Sequence, residues 1–172
     1  MSEACNKMTS KTPQLEGLKL RPADIVDMQI LFDWANSDIV RSMSLSTKKF
    51  SWETHKKWFE KCLRASTTEI FLGIDSNQFP IGQIRFDLVG NSQADVDVHT
   101  NPDWIGHGFG TQLIILGTQR FFAVSNVSSI RAIVLKNNIA SIRAFQKAGY
   151  TITEELTKKG RSLVSLSKNR FE

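Results

Sequence analysis

Three glycines at alternate positions, Gly106, Gly108 and Gly110, mark the stretch whose residue types point most directly to ligand binding. They follow a strand-like run, ADVDVHT, and lead into a long apolar run that begins FGTQLIIL. Such a turn exposes backbone N–H groups, glycine allows close approach of a ligand, and the N-terminus of a following helix favours negative charge. The segment 101–111 therefore predicts a site for the diphosphate of a cofactor.

The spacing of these glycines does not fit two common nucleotide-binding patterns. A dinucleotide-binding turn requires G-x-G-x-x-G and an acidic residue about 20 positions later, at the end of the next strand. Here the third glycine comes one residue early, Thr111 takes its place, and the next strand ends in Leu135 and Lys136 without an acid. The chain also contains no G-x-x-x-x-G-K-[ST] sequence. A Rossmann or P-loop site is therefore disfavoured.

The composition indicates one globular domain of ordinary size. The chain has 172 residues, of which 41% are hydrophobic and 23% charged, so it can bury a core. The net charge of +5 is dispersed, which suits small anionic ligands and argues against nucleic acid. Two cysteines without a C-x-x-C pair argue against a disulfide framework or a zinc site, and no metal is expected.

The N-terminal region lacks the apolar segment of a signal peptide, and no apolar run reaches membrane-spanning length. We therefore expect no membrane association and a cytoplasmic location. Residues 1–14 are polar and are expected to form a frayed tail. The remainder, 15–172, is expected to be a single domain.

Hydrophobic periodicity predicts alternating blocks of helix and strand. A first strand at 18–22 precedes a helix capped by Asp24, with Ile25 on its buried face, and a second helix capped by Ser51. The later elements are strands at 69–74, 80–88 and 94–100, a helix from the glycine loop to Val124, a strand at 129–135, a helix at 138–148 and a hairpin across KKG. This order predicts a mixed sheet in an α/β domain.

Two motifs in the second half resemble a known family. The glycine loop, TNPDWIGHGFG at 100–110, resembles the loop V-x-P-x-x-[R/Q]-G-x-G-x-[G/A] of the GNAT superfamily of N-acetyltransferases. The motif N-x-x-[A/S]-I-x-x-[Y/F]-x-K-x-G-[F/Y] is matched at Asn138, Ser141, Ile142, Phe145, Lys147, Gly149 and Tyr150. The resemblance implies acetyl-CoA as the acetyl donor and a GNAT fold. That fold is α/β, with a mixed, mostly antiparallel sheet of six to seven strands and about four flanking helices.

The first half resembles a narrower group of acetyltransferases. W-x-N-x-x-x-x-R-x-x-S at 34–44, W-x-x-H-x-x-W-F at 52–59 and PIGQIRFD at 80–87 are similar to acetyltransferases of amino-sugar nucleotides in pseudaminic-acid and related pathways. This resemblance implies that the acceptor is the amino group of a nucleotide-linked amino-deoxy sugar. Two alternatives stay open: a protein N-terminal acetyltransferase of the ribosomal-protein type, and an acyl-CoA-binding protein with little catalysis.

The GNAT resemblance also implies where the donor binds. Strand 94–100 diverges from strand 129–135, and the pantetheine arm lies in the gap, with N–H groups near Val98 holding the thioester oxygen. Asn138 contacts the donor or simply caps its helix. Ile105 stands where the family has arginine or glutamine, so its contribution is its backbone, and His107 is expected to be exposed. The expected cofactor-binding residues are Val98, Thr100, Ile105, Gly106, His107, Gly108, Phe109, Gly110, Thr111, Asn138 and Ser141.

Two residues are expected to handle protons while the amine attacks the thioester directly. The family often protonates the leaving thiolate with a tyrosine, but Phe145 occupies that position, so Ser141 or a water molecule is the expected donor. His99 is the expected general base, because an unperturbed histidine pKa of about 6.5 suits proton removal at neutral pH. The alternative is a histidine whose hydrogen bonds are satisfied within the sheet.

Five residues are expected to contact the acceptor: Asn36, Arg41, His55, Trp58 and Arg85. The two arginines present planar guanidinium groups that match phosphate oxygens, although ion pairing explains them equally well. His55 lies in an apolar stripe, where a packed histidine is the alternative, and Trp58 stacks on the acceptor or belongs to the core. The expected partner is a small-molecule amine, and a homodimer is left open.

Overall fold

The computed structural model describes residues 17–171, which build a seven-stranded sheet with helices on both faces. The strands are β1 (Lys19–Pro22), β2 (Thr68–Ile74), β3 (Pro80–Val89), β4 (Gln93–Thr100), β5 (Ser129–Leu135), β6 (Thr151–Lys158) and β7 (Arg161–Asn169). The helices are α1 (Met28–Asn36), α2 (Asp38–Ser42), α3 (Trp52–Arg64), α4 (Phe109–Val124) and α5 (Ile139–Lys147). The strand order is β1-β2-β3-β4-β5-β7-β6, and every neighbouring pair is antiparallel except β4 and β5.

This sheet confirms the predicted fold class, a mixed and mostly antiparallel α/β arrangement. Five helices form where about four were expected, because Ser37 is extended at the end of α1 and its side chain caps the short α2. The predicted hairpin across KKG is present, with Lys158 paired to Arg161 around a two-residue turn. The tail predicted at 1–14 lies outside the described residues, and the single domain at 15–172 stays a prediction.

The start of the first helix differs from the prediction. Asp24 caps a short 3-10 turn, Ile25–Asp27, and the α-helix begins only at Met28. Asp27 turns inward because its carboxylate accepts from the Arg21 guanidinium at 2.6 and 2.7 Å and from the Asp24 N–H at 2.8 Å. Asp27 therefore takes the buried position, and Ile25, predicted to be buried, is 49% exposed.

Helix α4 packs unusually close to the sheet because glycines line the contact. A Cβ atom built on Gly117 would lie 2.7 Å from a side-chain carbon of Ile84 on β3. A Cβ on Gly73 or Gly82 would collide with Leu113 of α4 in the same way, at 2.4 and 2.7 Å. Close packing of this kind fixes the position of α4, and with it the position of the glycine loop that precedes it.

The sheet has two chemically different faces. One face carries apolar side chains, among them Ile84 and Val96, in a core cluster that also includes residues of α4 and α5. The other face carries Gln83 and Arg85 of β3 directly opposite His99 and Asp97 of β4, and α3 borders it through Trp58. We call this second side the polar face, and it holds the residues expected to act on the acceptor.

Residues 17–171 offer neither a membrane-spanning helix nor a metal centre. No helix in this range is long and apolar enough to cross a bilayer. The same range contains no group of three or more His, Cys, Asp or Glu side chains placed to hold a metal ion.

Candidate active site

A slot opens in the sheet between β4 and β5. The two strands pair in parallel only over 93–96 and 129–132. Beyond these residues β4 continues against β3 as far as Thr100, while β5 continues against β7 as far as Leu135. The predicted divergence of the two strands is therefore present in the structure.

The backbone of β4 directs N–H groups into this slot. The Asn101 N–H donates to the Ile81 carbonyl on β3 at 2.8 Å. Because backbone groups point to alternate sides along a strand, the N–H groups of Val98 and Thr100 point the other way, toward β5. Neither residue pairs with β5, since the two strands have separated at that point. Val98 and Thr100 are thus placed to donate to a carbonyl oxygen in the slot.

The glycine loop connects β4 to α4 and ends in free backbone donors. Gly106 and Gly108 have φ values of 87° and 86°, in the left-handed region that glycine adopts without strain. Helix α4 begins at Phe109, and among the described residues nothing accepts from the N–H groups of Phe109, Gly110 and Thr111. The first turn of a helix with free N–H groups is a favourable site for an anion.

Two of the donors expected in this loop point to protein acceptors instead. The Ile105 N–H donates to the Pro102 carbonyl at 3.5 Å, and the His107 N–H to the Trp104 carbonyl at 3.4 Å. The His107 ring is exposed, as expected, with its Nδ1 atom 3.2 Å from the Ile105 carbonyl. The donors left free for an anion are therefore concentrated in the first turn of α4.

The slot and the first turn of α4 together fit coenzyme A. The turn suits a diphosphate, and the free N–H groups along β4 suit the amide and thioester carbonyls of a pantetheine arm. The backbone cradle is open: a Cβ atom on Gly106 would meet no atom within 4 Å. One on Gly110 would make only an ordinary contact, 3.5 Å from the Thr100 hydroxyl oxygen. The residues present can therefore hold both parts of the molecule.

The residues expected on α5 are partly committed to other contacts. The Asn138 side-chain oxygen accepts from the Ser141 N–H at 3.1 Å, so Asn138 acts as a helix cap. Phe145 is buried with its ring edge-on to Tyr150. The Tyr150 hydroxyl lies 2.8 Å from the Thr118 hydroxyl, and burial raises the pKa of Tyr150. Tyr150 therefore belongs to the core and supplies no proton donor, whereas Ser141 is half-buried at the start of α5.

His99 lies on the polar face with one ring nitrogen free. Its Nδ1 atom is 3.4 Å from the side-chain nitrogen of Gln83, while its Nε2 atom is buried without a partner among the described residues. Burial lowers the pKa of His99 to about 4, an effect that Asp97 opposes and that Arg85 and Arg41 reinforce. The predicted unperturbed pKa is therefore wrong for the folded protein, and the ring is neutral at pH 7.

Arg85 is paired with carboxylates, which is the alternative left open by its sequence. Its Nε atom donates to Asp87 at 2.8 Å, and its Nη2 atom lies 3.8 Å from the Asp97 carboxylate. Burial lowers the pKa of Arg85 and the two carboxylates raise it, with a raised value as the result. The guanidinium also lies 5.1 Å from the ring centre of Trp58, a cation–π contact. Trp58 therefore covers Arg85.

Arg41 and Asn36 both hold the loop that joins α2 to α3, residues 43–50. One guanidinium nitrogen of Arg41 donates to two loop carbonyls, at 3.1 and 3.4 Å. The Asn36 amide donates to the Phe50 carbonyl at 2.8 Å and accepts from the Phe50 N–H at 3.1 Å. The described structure places no carboxylate within 4.0 Å of the Arg41 nitrogens. Both residues thus shape the loop, and the Arg41 charge is not neutralised.

His55 belongs to an aromatic core rather than to the polar face. The residue is 2% exposed, and its Nε2 atom lies 3.1 Å from the Met28 carbonyl. Its ring stacks between Phe50 and Phe59, with centroid distances of 5.7 Å to each. Burial lowers the pKa of His55. The structure therefore agrees with the alternative of a packed histidine, and nothing in this geometry supports contact between His55 and the acceptor.

Two residues of the site escaped the sequence analysis. Gln83 could have been found, because a polar residue inside an apolar strand lies opposite His99 once the β3–β4 hairpin register is known. Arg161 had no such signal: its guanidinium donates to the carbonyls of Ser44 and Leu45 at 3.0 and 2.9 Å, far away in sequence. Local patterns do not report contacts of that kind.

Comparisons with known proteins identify the family. Residues 17–151 match the model described as the acetyltransferase (GNAT) domain. Acetyltransferase PseH of Campylobacter jejuni subsp. jejuni serotype O:2 is 24% identical over 130 residues, covering 75% of this chain and 80% of that protein. A spermidine N-acetyltransferase from Vibrio cholerae, solved with CoA and spermine, has a TM-score of 0.82 at 16% identity, covering 90% of this chain and 96% of that chain. Aminoglycoside acetyltransferase AAC(6')-Ib, solved with coenzyme A and kanamycin, has a TM-score of 0.77 at 17% identity. The match covers 90% of this chain and 96% of that chain.

The structural likenesses support the fold, and the family match spans most of the described chain. The predicted class of enzyme, an acetyl-CoA-dependent N-acetyltransferase, is confirmed. The chain belongs to the GNAT acetyltransferase domain family.

Proposed function

We propose that this protein transfers the acetyl group of acetyl-CoA to the amino group of a nucleotide-linked amino-deoxy sugar. The main observation that supports acetyl transfer is the slot between β4 and β5, which has free N–H groups along β4 and His99 close by. The motifs of the first half and the similarity to acetyltransferase PseH support the acceptor class.

The polar face carries as many arginines as carboxylates, but every carboxylate lies against an arginine whereas one arginine has no carboxylate partner among the described residues. Its acids Asp87 and Asp97 lie against Arg85, and Asp95 accepts two hydrogen bonds from an arginine of β5 at 2.8 and 2.9 Å. Arg41 donates to uncharged oxygens instead, so no carboxylate of the described chain pairs with its positive charge. Spermine and kanamycin, bound by the two structural neighbours, are polycations, and a polycation is best bound by unpaired carboxylates. A phosphate-bearing acceptor could instead pair with the Arg41 guanidinium.

The reaction forms a C–N bond between the amine and the thioester carbonyl carbon and breaks the C–S bond of acetyl-CoA. The N–H groups of Val98 and Thr100 would stabilise the negative charge that develops on the carbonyl oxygen. His99 would accept the amine proton at Nε2 with its own proton on Nδ1, a tautomer that requires the Gln83 amide to turn so that its oxygen, rather than its nitrogen, faces Nδ1. Ser141 or water would protonate the thiolate, and a thiol pKa of about 8.5 makes a strong acid unnecessary.

Release of the coenzyme A thiol, measured across a panel of amines, tests this proposal. The panel contains a nucleotide-linked 4-amino-4,6-dideoxy sugar, a peptide with a free N-terminus, spermidine and kanamycin. We expect the highest kcat/KM for the nucleotide-linked sugar, and a lower kcat for the His99→Ala variant with unchanged acetyl-CoA affinity. A preference for the peptide or for the polycations would refute the acceptor class. Acetyl-CoA binding without turnover on any amine would instead favour the acyl-CoA-binding alternative.

A further inference from the structure

A cleft of about 560 Å³ lies where β5 ends and the β6–β7 turn begins. It is lined by Leu135, Lys136, Asn137, Gly160, Arg161 and Ser162. Leu135 ends the strand that forms one side of the slot, so the cleft adjoins the place where the donor would lie. No role was predicted from the sequence for any residue of the cleft. Because the cleft is basic, it suits a negatively charged ligand.

Arg161 is held in a fixed position with part of its guanidinium free. Its Nη1 atom donates to the carbonyls of Ser44 and Leu45, at 3.0 and 2.9 Å. In the part of the chain that the structure describes, its Nε and Nη2 atoms have no protein acceptor, and no carboxylate lies within 4.0 Å. Both carbonyl oxygens are uncharged, so the positive charge is anchored without being neutralised.

The neighbouring turn adds further positive charge. Lys158 and Lys159 precede Gly160, and neither forms an ion pair within residues 17–171. Lys159 and Gly160 have φ values of 51° and 73°, which is the geometry of a tight two-residue hairpin turn. Lys136, on the opposite side of the cleft, is paired with Glu155 at 2.6 Å. The turn therefore places more positive than negative charge around the cleft.

We propose that this cleft is a phosphate subsite in which the free edge of the Arg161 guanidinium binds phosphate oxygens. A guanidinium fork matches two phosphate oxygens, and an anchored fork loses little freedom on binding. The proposal rests on the proposed function, because the phosphates are those of the nucleotide-linked acceptor. The same chemistry could also serve the phosphates of coenzyme A, so the test separates the two sources.

Calorimetric titration of the protein with uridine diphosphate, and separately with coenzyme A, tests the subsite. The variants are Arg161→Gln, which removes the charge, and Arg161→Lys, which keeps the charge without the fork. Arg64→Gln is the matched control, since Arg64 is exposed at the far end of α3 and has no ion pair in the described chain. Thermal melting of each variant checks that it folds.

We expect the Kd for uridine diphosphate to rise at least tenfold in Arg161→Gln and less in Arg161→Lys. Arg64→Gln should bind it as the wild type does, and no variant should change the Kd for coenzyme A. Equal nucleotide binding by wild type and Arg161→Gln overturns the subsite, even if the nucleotide-linked sugar is still acetylated. A loss of coenzyme A affinity alone assigns the cleft to the donor. Failure of the wild type to bind uridine diphosphate overturns the subsite, whereas the proposed acceptor is judged separately by the panel of amines.

Discussion

Replacing His99 with asparagine should remove much of the acid sensitivity of folding. Burial lowers the pKa of His99 from 6.5 to about 4. Between these values the unfolded chain holds a proton on His99 that the folded chain does not, so the free energy of unfolding rises as pH increases from 4 to 6.5. At about 1.4 kcal/mol per pH unit, the full interval corresponds to at most about 3–4 kcal/mol.

The assay is urea unfolding followed by circular dichroism at a series of pH values from about 4.5 to 7.5. Asparagine keeps a polar group near the Nδ1 position, where it can still contact Gln83. His55 also has a lowered pKa, and its charge lowers the pKa of His99, so the difference between the two proteins reports His99 together with its interaction with His55. We expect the wild type to gain more stability than the variant across this range, and equal stability gains above pH 6.5.

Parallel stability curves for the two proteins would show that His99 titrates as it does in an unfolded chain. That result would contradict the burial argument and restore the ordinary histidine pKa expected from the sequence. A wild type that becomes more stable on acidification would contradict it more strongly, because the sign itself would be reversed.

Two further predictions concern the core that supports the slot. Tyr150→Phe should destabilise the protein by about 1–3 kcal/mol in urea unfolding, because it leaves the buried Thr118 hydroxyl without its 2.8 Å partner; an unchanged midpoint would show that Thr118 finds another partner. Gly117→Ala should lower the melting temperature even though alanine favours helix, because the new Cβ atom lies 2.7 Å from Ile84 and overpacking costs about 1–3 kcal/mol. A higher melting temperature would mean that α4 moves away from β3 at little cost.

The fold was predictable because its signals are local. Alternating residues in ADVDVHT mark β4, and the KKG turn marks the hairpin of β6 and β7. The error at Ile25 has a cause outside the helix: the ion pair with Arg21 of β1 pulls Asp27 inward, and the periodicity of the helix itself does not show this. Periodicity identifies an apolar stripe but not the residue at which the stripe begins.

The donor side and the polar face of the candidate site also differed in how far the sequence could predict them, and for the same reason. The donor side is built from consecutive residues of the glycine loop, so its motif is visible in one stretch. The polar face is built from side chains whose partners are distant in sequence, such as Arg161 with the loop at 43–50 and Gln83 with His99. Residue type alone could not decide whether Arg41 binds a ligand or the loop carbonyls, because guanidinium groups do both.

The strand order also has a consequence for synthesis on the ribosome. β7 is the last of the seven strands to be made, yet it lies between β5 and β6. Until it emerges, β5 has a free edge on that side and β6 has no strand beside it. β1 to β4 can pair in the order in which they appear, whereas the wall of the slot formed by β5 is completed only when the final strand inserts.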